Sequence, residues 1–351
     1  MNKCTLSFLF SLQNGVASSC LTGEGVHDDL LEHYSDKGTV DDVASTKRST
    51  LAPIRSFQWA VILNLLLLLL LAGTALYAED TRSSLDTSSP GSSSSEPQDV
   101  QDHTIFTADF EHTKPGIYTE EQLTQDWNSP EWSDGIEERR VSVVKTDSGT
   151  KALAVTYPAT TYGPEKNGAV WKLKFDASYS AVEVRFDVMF EKGFHFVRGG
   201  KLPGLFGGEG NTGGNKPTGH DGFSARMMWR EDGRAVQYLY YPDQPTRYGH
   251  QIPWIDQATE QPIKFIPGQW HTVVHQVCIN TPGKRDGTLQ AFFDNQPVLR
   301  MDSIRFRDTD AFAIDGFLLS TFFGGADASW ETTAQETICF DNFQIVKIAF
   351  E

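Results

Sequence analysis

Cysteine is scarce in this sequence, with four residues among 351. Cys4 and Cys20 precede a long apolar run, and Cys278 and Cys339 follow it. No CxxC motif and no Cys/His cluster has the spacing of a zinc site, so a structural metal is not expected. For Cys278 and Cys339 the sequence leaves two states open, a disulfide in an oxidising compartment or two buried thiols on separate strands.

Several functional motifs are also missing. No Asn-x-Ser/Thr sequon occurs, so N-glycosylation is not expected. The glycines between positions 199 and 214 match neither a P-loop nor a dinucleotide fingerprint. No closely spaced acidic motif such as Glu-x-Asp-x-x-Glu lies on a predicted strand. This argues against a glycoside hydrolase, whose chemistry usually needs two carboxyl groups flanking the bond.

Positive charge is in the minority, because the formal net charge is -16. Between Lys192 and His250, however, eight basic residues face five acidic ones, which gives this segment a net charge of about +3. A locally basic surface in an acidic protein fits a carboxylated substrate better than nucleic acid, which usually requires a basic domain. The plainer interpretation is a solvated strand face.

The only long apolar run, Trp59–Ala78, contains no charged residue. Its length of about 20 residues is enough to cross a bilayer as a helix. Basic residues precede the run and acidic residues follow it, which favours a cytoplasmic N-terminus and a type II anchor with the C-terminal bulk lumenal or extracellular. The alternative is a signal peptide cleaved near Ala78, which would release a secreted protein.

The chain therefore divides into four predicted parts. Residues 1–56 are polar and lack a sustained hydrophobic period, so we expect a disordered cytoplasmic tail. Residues 57–78 form the transmembrane helix. Residues 79–103 are Ser-rich and acidic, which is typical of a flexible stalk. Residues 104–351 form a single folded domain, for which we expect a monomer.

The folded domain is predicted to be all-β. Apolar and polar residues alternate with period two in many short segments separated by Gly, Pro and Asp turns, which is typical of half-buried strands. No strong amphipathic helix of three turns occurs. This pattern predicts a β-sandwich of the jelly-roll type (concanavalin-like), whose concave sheet can hold a chain-like ligand. The segments are Trp171–Phe175, Ala181–Phe190, Phe223–Arg230, Val236–Tyr241, His271–Ile279, Leu289–Asp294, Gly316–Phe323 and Thr337–Ile348.

The hairpin at 223–241 follows a Gly-rich stretch that contains Lys201 and is interpreted as a loop. A three-residue turn with Gly233 in a left-handed conformation would pair Arg226 with Tyr238 and Ser224 with Tyr240. A two-residue turn would send the tyrosines to the opposite face. We predict the three-residue turn, with Lys201 reaching the same surface from the preceding loop.

These segments resemble polysaccharide lyase family 14, which contains alginate and glucuronan lyases. The resemblance is carried by GGKLPGL at 199–205, GFSARMMWR at 222–230 and Tyr-x-Tyr at 238–240. It implies a β-jelly roll and β-elimination without a metal or other cofactor. It maps the catalytic residues of the family onto Lys201, Ser224, Arg226, Tyr238 and Tyr240.

The chemistry of such a reaction needs these residue types. The proton to be removed from a uronic acid lies beside the carboxylate, whose charge a guanidinium can offset; Arg226 is the candidate. Lys201, Tyr238 and Tyr240 are candidates for proton transfer. Free lysine and tyrosine side chains have pKa values of about 10, so neighbouring cations have to lower the pKa of one candidate, and an alkaline optimum is expected. Base and acid stay unassigned.

Other residues complete the predicted site. Ser224 is expected to hold substrate or a tyrosine by a hydrogen bond. Further candidates for substrate binding are Arg230, His220, Arg247 and Tyr241. The predicted function is a polysaccharide lyase acting on an acidic (uronate) polysaccharide, held at a membrane through residues 59–78. The alternatives are a non-catalytic carbohydrate-binding module and, with less support, a glycoside hydrolase.

Overall fold

The computed structural model describes residues 103–349. The predicted tail, the membrane helix and all of the stalk except His103 lie outside the described residues. Within residues 103–349, no helix combines the length and the apolar character needed to cross a membrane.

The described chain is built almost entirely of strands. A single short α-helix, α1, covers Glu120–Asp126, and single 3-10 turns cover Glu231–Gly233 and Ala328–Trp330. The strands are β1 (Thr104–Ala108), β2 (Gly116–Ile117), β3 (Ser133–Asp134), β4 (Val141–Lys145), β5 (Lys151–Tyr157), β6 (Ala169–Tyr179), β7 (Ala181–Phe190), β8 (Gly199–Gly208), β9 (Gly222–Arg230), β10 (Ala235–Tyr240), β11 (His250–Pro253), β12 (Trp270–Cys278), β13 (Gly287–Phe293), β14 (Gln296–Ile304), β15 (Ile314–Thr321) and β16 (Glu336–Lys347).

These strands form two antiparallel sheets. The nine-stranded sheet has the order β14-β13-β12-β7-β16-β5-β4-β2, with β1 paired to β16. The seven-stranded sheet has the order β11-β10-β9-β8-β15-β6-β3. Neighbours in both sheets are often distant in sequence, which is consistent with the predicted jelly roll. The prediction of an all-β sandwich is confirmed.

The core lies between the two sheets and follows from the alternation within each strand. On β7 every second residue from Val182 to Phe190 is fully buried, and on β9 the inward side chains include Met227 and Trp229. Phe190 and Trp229 meet across the sandwich with ring centres 5.5 Å apart. Burying large apolar side chains of this kind contributes about 1.5–3 kcal/mol each. The inward face therefore fixes which residues of β9 and β10 point outward.

The predicted strand segments all coincide with observed strands, and β7 has the predicted bounds. Sequence reasoning missed the short edge strands and β4, β5, β11 and β14. It was wrong about 199–208, which is the central strand β8 and not a loop.

Cys278 and Cys339 are free thiols. Cys278 lies opposite Ala181 at one end of β7, whereas Cys339 lies opposite Met189 near the other end, on the far side of that strand. Eight residues of strand separate these positions by about 26 Å. A disulfide needs Cα atoms within about 7 Å, so the disulfide interpretation is wrong and the interpretation as separate thiols holds.

Candidate active site

A groove of about 800 Å³ lies on the outer face of the seven-stranded sheet. Six strand spacings of about 4.8 Å give this sheet a width of about 29 Å. The groove crosses all seven strands, with lining residues that include Asp134 on β3, Lys172 on β6, Ser320 on β15, Lys201 on β8, Arg226 on β9, Tyr238 on β10 and Gln251 on β11. A surface of this form can receive an extended chain lying across the strands.

The β9–β10 hairpin has the predicted three-residue turn at Glu231–Gly233. Gly233 is left-handed, as expected, and Asp232 adopts a positive φ as well. The register pairs Arg226 with Tyr238 and Ser224 with Tyr240. The predicted register is therefore confirmed.

Lys201 reaches this surface from strand β8, where it lies opposite Met228 of β9. The glycines around it serve close packing. A Cβ on Gly204 would lie 2.1 Å from the carbonyl oxygen of Ala225, and one on Gly200 would lie 2.1 Å from the Trp229 ring. The prediction of a loop was wrong because glycine marks both flexible turns and close backbone approach.

Arg226 is almost completely buried at the floor of the groove. Its Nη1 donates to the Ser320 hydroxyl at 3.2 Å, and its Nε has no hydrogen-bond partner among the described residues. No ion pair to a carboxylate within residues 103–349 neutralises it, and burial lowers the pKa of its guanidinium. A buried charge without a partner is costly, which makes this position suited to a bound anion.

Lys201 is also held without a carboxylate partner in the described part of the chain. Its Nζ contacts the Met228 sulfur at 3.4 Å and the Gly324 carbonyl at 3.3 Å, and it lies 4.5 Å from the centre of the Tyr238 ring. Burial lowers the pKa of Lys201 well below its ordinary value, and the charges of Arg226 and Arg230 lower it further. Loss of its proton is therefore easier than for an exposed lysine.

Tyr238 and Tyr240 place their hydroxyl oxygens 3.3 Å apart. The backbone N–H of Gly214 donates to the Tyr240 hydroxyl at 2.9 Å. Burial raises the pKa of Tyr238, and its contact with Tyr240 raises it further, whereas Arg226 acts in the opposite direction. Tyr238 is therefore held as a neutral phenol over a wide pH range.

Ser224 lies on the same face but does not line the groove. Its hydroxyl donates to the Asn211 carbonyl at 2.6 Å and is fully buried. This bond holds the 209–215 segment in place, and the same segment contains Gly214, whose N–H donates to Tyr240. The expected hydrogen bond from Ser224 to a tyrosine is absent among the described contacts; the link between them runs through the backbone of this segment.

A buried polar contact supports Arg226 from the core side. The side-chain amide of Gln237 donates to the Arg226 carbonyl at 2.8 Å, and its oxygen lies 2.6 Å from Nε2 of His275 on the other sheet. Burial lowers the pKa of His275 to about 3, so the ring is neutral. It donates through Nε2 to Gln237.

The structure does not bring all the predicted binding residues together. Tyr241 packs against the core and bonds His250 at 3.1 Å, because it follows Tyr240 by one residue and faces the other way. His220 is exposed and is not part of the groove lining. Arg247 packs on Tyr248, which does line the groove. Arg230 lies at the end of β9, stacked on Trp330 at 5.1 Å.

Trp330 was missed by sequence reasoning. It lies in the groove wall with Arg198 and Arg230 each 5.1 Å from its ring and Lys201 at 5.9 Å. It belongs to a loop between β15 and β16, where no periodicity predicts side-chain direction. Trp132, which also lines the groove, lies outside the predicted strands as well. Lys172 lies in the predicted strand Trp171–Phe175, where alternation places it on the outer face, but it was not considered as a site residue. Among residues 103–349, no group of three His, Cys, Asp or Glu side chains is arranged to hold a metal ion.

The sequence matches the model of one protein family. A model described as Polysaccharide lyase 14 matches residues 145–343, more than half of the chain. A search of curated proteins by sequence finds no match.

Solved structures of alginate lyases are similar to the chain. Aly36B is 26% identical, with a TM-score of 0.59 over 70% of this chain and 98% of that one. The marine PL-14 alginate lyase from Aplysia kurodai is 27% identical, with a TM-score of 0.59 over 70% and 99%. The Chlorella virus alginate lyase vAL-1, at 23% identity and a TM-score of 0.54 over 67% and 99%, shares the fold. A double mutant of Aly36B was solved with an alginate tetrasaccharide.

Proposed function

The chain belongs to polysaccharide lyase family 14, and from this premise we propose that it cleaves a 4-linked uronate polysaccharide of the alginate or glucuronan type by β-elimination. Membership makes the chain a polysaccharide lyase. The observation that carries the finer proposal is the groove floor, where a buried guanidinium without a carboxylate partner in the described chain lies beside a lysine of lowered pKa.

Arg226 neutralises the carboxylate of the sugar that loses its proton. Its unpartnered Nε and its buried position favour a bound carboxylate, and a guanidinium offers the fixed geometry that a carboxylate can accept. Charge neutralisation makes the proton on the adjacent carbon more acidic. The alginate oligosaccharides bound in the Aly36B structures support a substrate of this charge.

Lys201 is the base in this scheme. As a neutral amine it takes the proton from the carbon next to the carboxylate, and the electron pair of that C–H bond forms a double bond to the neighbouring carbon. The bond from that carbon to the 4-linked oxygen then breaks. The lowered pKa of Lys201 supports this role, because only the unprotonated amine can accept a proton.

Tyr238 is the acid. Its raised pKa keeps the phenol protonated, so that it can give its proton to the departing oxygen. Tyr240 positions Tyr238 through the contact between their hydroxyls and is itself held by Gly214. The products are an unsaturated sugar end and a new chain end, and no step uses a metal ion.

The test is incubation of the full-length protein with alginate, glucuronan and a neutral glucan. Ultraviolet absorbance of the unsaturated end and reducing ends are followed separately. The proposal expects both to rise together with at least one uronate polymer and neither with the neutral glucan. Reducing ends without absorbance would indicate a hydrolase, and binding without either signal would indicate a carbohydrate-binding module; each result contradicts the proposal.

We also propose that residues 57–78 anchor the enzyme with its catalytic domain on the lumenal or extracellular side. Only the apolar run and its flanking charges support this. Alkaline extraction of membranes should leave the protein in the pellet. Protease added to sealed microsomal vesicles should remove the tail and leave a lumenal domain protected, and protease added to intact cells should cleave an extracellular domain and leave the tail protected. Recovery of a chain lacking residues 1–78 in the medium would favour the secreted alternative.

A further inference from the structure

The groove extends well beyond the proposed reaction centre, toward the β3 edge of the seven-stranded sheet. Arg226 lies on β9, whereas β6 is three strands away at about 14 Å and β3 is four strands away at about 19 Å. Several linked sugar residues are needed to bridge such a distance. The far part of the groove is therefore available to a long substrate and not to the shortest ones.

Trp132 and Lys172 both line this far end of the groove. Strand β3 pairs with β6 so that Ser133 lies opposite Trp171, and continuing this register by one residue brings Trp132 opposite Lys172. Residues directly opposite in an antiparallel pair share a face, and both side chains line the groove. An aromatic and a basic residue are thus neighbours on one face at this edge of the groove.

Trp132 is 44% exposed. It lies outside the segment that the family model matches, 145–343. Its ring offers a flat apolar surface at the rim of a polar groove. Such a surface suits the C–H face of a sugar ring.

Lys172 differs from its neighbour Lys174 in how its charge is satisfied. Lys174 forms an ion pair with Glu131 at 2.6 Å. Lys172 instead donates to the backbone carbonyl of Glu209 at 2.7 Å and lies 5.1 Å from the centre of the Phe206 ring, with no ion pair among the described residues. Its positive charge remains available to a carboxylate in the groove.

We propose that Trp132 and Lys172 form an outer subsite for a uronate residue several units from the bond that is cleaved. Trp132 stacks on the sugar ring and Lys172 binds its carboxylate. This proposal rests on the proposed function, because it assumes a uronate chain lying across the strands. It makes the enzyme favour long chains and places the bond that is cleaved away from the groove end, as internal cleavage requires.

The test uses Trp132→Ala and Lys172→Met in the full-length protein. Two matched controls are Lys174→Met, on the same strand face but ion-paired, and Trp270→Ala, an exposed tryptophan of the nine-stranded sheet. For polymer and long oligouronates we expect each subsite variant to raise KM about five- to tenfold with kcat preserved. For the shortest oligouronate that is cleaved, and for both controls, KM should not change.

Binding is measured separately in a Lys201→Ala background, by calorimetry with a size-defined alginate or glucuronan oligomer. Trp132→Ala should weaken binding of the long oligomer by the same factor. Normal cleavage with unchanged affinity and unchanged length preference in the subsite variants overturns the subsite alone. Absence of the unsaturated product together with Trp132-dependent binding overturns the lyase mechanism and supports the subsite. Absence of binding by any uronate oligomer overturns both.

Discussion

Arg226 and Tyr238 lie directly opposite each other on β9 and β10, and the guanidinium carbon is 5.4 Å from the centre of the tyrosine ring. This contact depends on the three-residue turn at Glu231–Gly233. A slip of one residue would turn Tyr238 toward the core and leave Arg226 facing an apolar side chain. The turn therefore determines whether carboxylate binding and proton transfer share one surface.

The first prediction concerns the pH dependence of the rate. A lysine base works only above its pKa, so kcat should rise with pH through the lowered pKa of Lys201 and then stay level. The alkaline fall should lie beyond the ordinary titration range of tyrosine, because burial raises the pKa of Tyr238. A pH–rate profile of kcat checks both limbs.

The matched variant for this profile is Arg230→Gln. Because Arg230 contributes to the lowered pKa of Lys201, removing its charge should move the acid limb to higher pH with the plateau retained. An acid limb that stays at the same pH in this variant would argue that another group is the base.

The second prediction concerns the segment at 209–215. Ser224→Ala removes the bond to Asn211, and Tyr240→Phe removes both the acceptor for Gly214 and the hydroxyl contact with Tyr238. Each change should lower kcat/KM by the equivalent of about 1–3 kcal/mol. Since both bonds hold the same segment, the double variant should lose less than the sum of the two. Values of kcat/KM for the four proteins decide this, and strict additivity would show that the two bonds act independently.

The third prediction concerns the close approach of β8 and β9. In Gly204→Ala the new methyl would meet backbone atoms at 2.1 and 2.6 Å, so the strands must separate. We expect a loss of more than about 3 kcal/mol of stability in denaturant unfolding. Gly149→Ala is the control, with a φ of +90° but no atom within 4 Å of the added methyl, and should cost only about 1 kcal/mol. Equal losses would mean that β8 does not pack as described.

Part of this site could be predicted from the sequence, and the reason is periodicity. Alternation assigned Arg226 to one face of β9, and Tyr238 and Tyr240 to one face of β10. The turn left two registers open, and the three-residue turn was predicted because only that register brings these side chains to one surface. The same alternation applied one residue further would have assigned Tyr241 to the core. Its inclusion in the predicted site was an error of reasoning and not a limit of the sequence.

Other features depend on contacts between distant segments. From the sequence alone, the glycines of β8 indicate a loop. Their reason becomes clear only from the structure, in which Ala225 and Trp229 of β9 lie against them. Trp330 lies in a loop, and its approach to Lys201 follows from how that loop crosses the sheet. The positions of Cys278 and Cys339 in the sequence do not show that they lie beside opposite ends of β7. Sequence spacing carries none of this information.

The fourth prediction concerns stability on the outer face of the nine-stranded sheet. Burial raises the pKa of Asp341 to about 6, and the nearby carboxylates of Asp187, Glu111 and Asp109 add to the effect. A raised carboxyl pKa means that the folded state favours the protonated form, so its stabilising contribution is present at low pH and is lost as pH rises through about 6.

Asp341→Asn should therefore raise the free energy of unfolding by about 1 to 2 kcal/mol at pH 8 and have little effect at pH 4. Denaturant unfolding at the two pH values measures it. Asp187→Asn is the comparison variant. It also removes one of the charges near Asp341, but it weakens the bonds that Asp187 accepts from Thr272 and Asn342, so the gain in unfolding free energy at pH 8 should be smaller than for Asp341→Asn. A uniform effect of Asp341→Asn at both pH values would show that the carboxylate is not strained by its neighbours.

The fifth prediction tests the role of Arg226. If the guanidinium of Arg226 offsets the charge of the substrate carboxylate, its contribution to the rate depends on that charge. Arg226→Ala should slow cleavage of a polyuronate by about 10²- to 10³-fold or more. Arg226→Lys should recover only part of the rate, because an ammonium cannot reproduce the geometry of the guanidinium.

The most direct measurement is the ratio of wild-type to Arg226→Ala rates on the same polyuronate in its acid and methyl-ester forms, followed by absorbance of the unsaturated end. The ester carries no charge to be neutralised. We predict a large ratio on the acid form and a ratio close to one on the ester. Equal losses on both forms would contradict the account, because Arg226 would then support the fold or bind the sugar without neutralising its carboxylate.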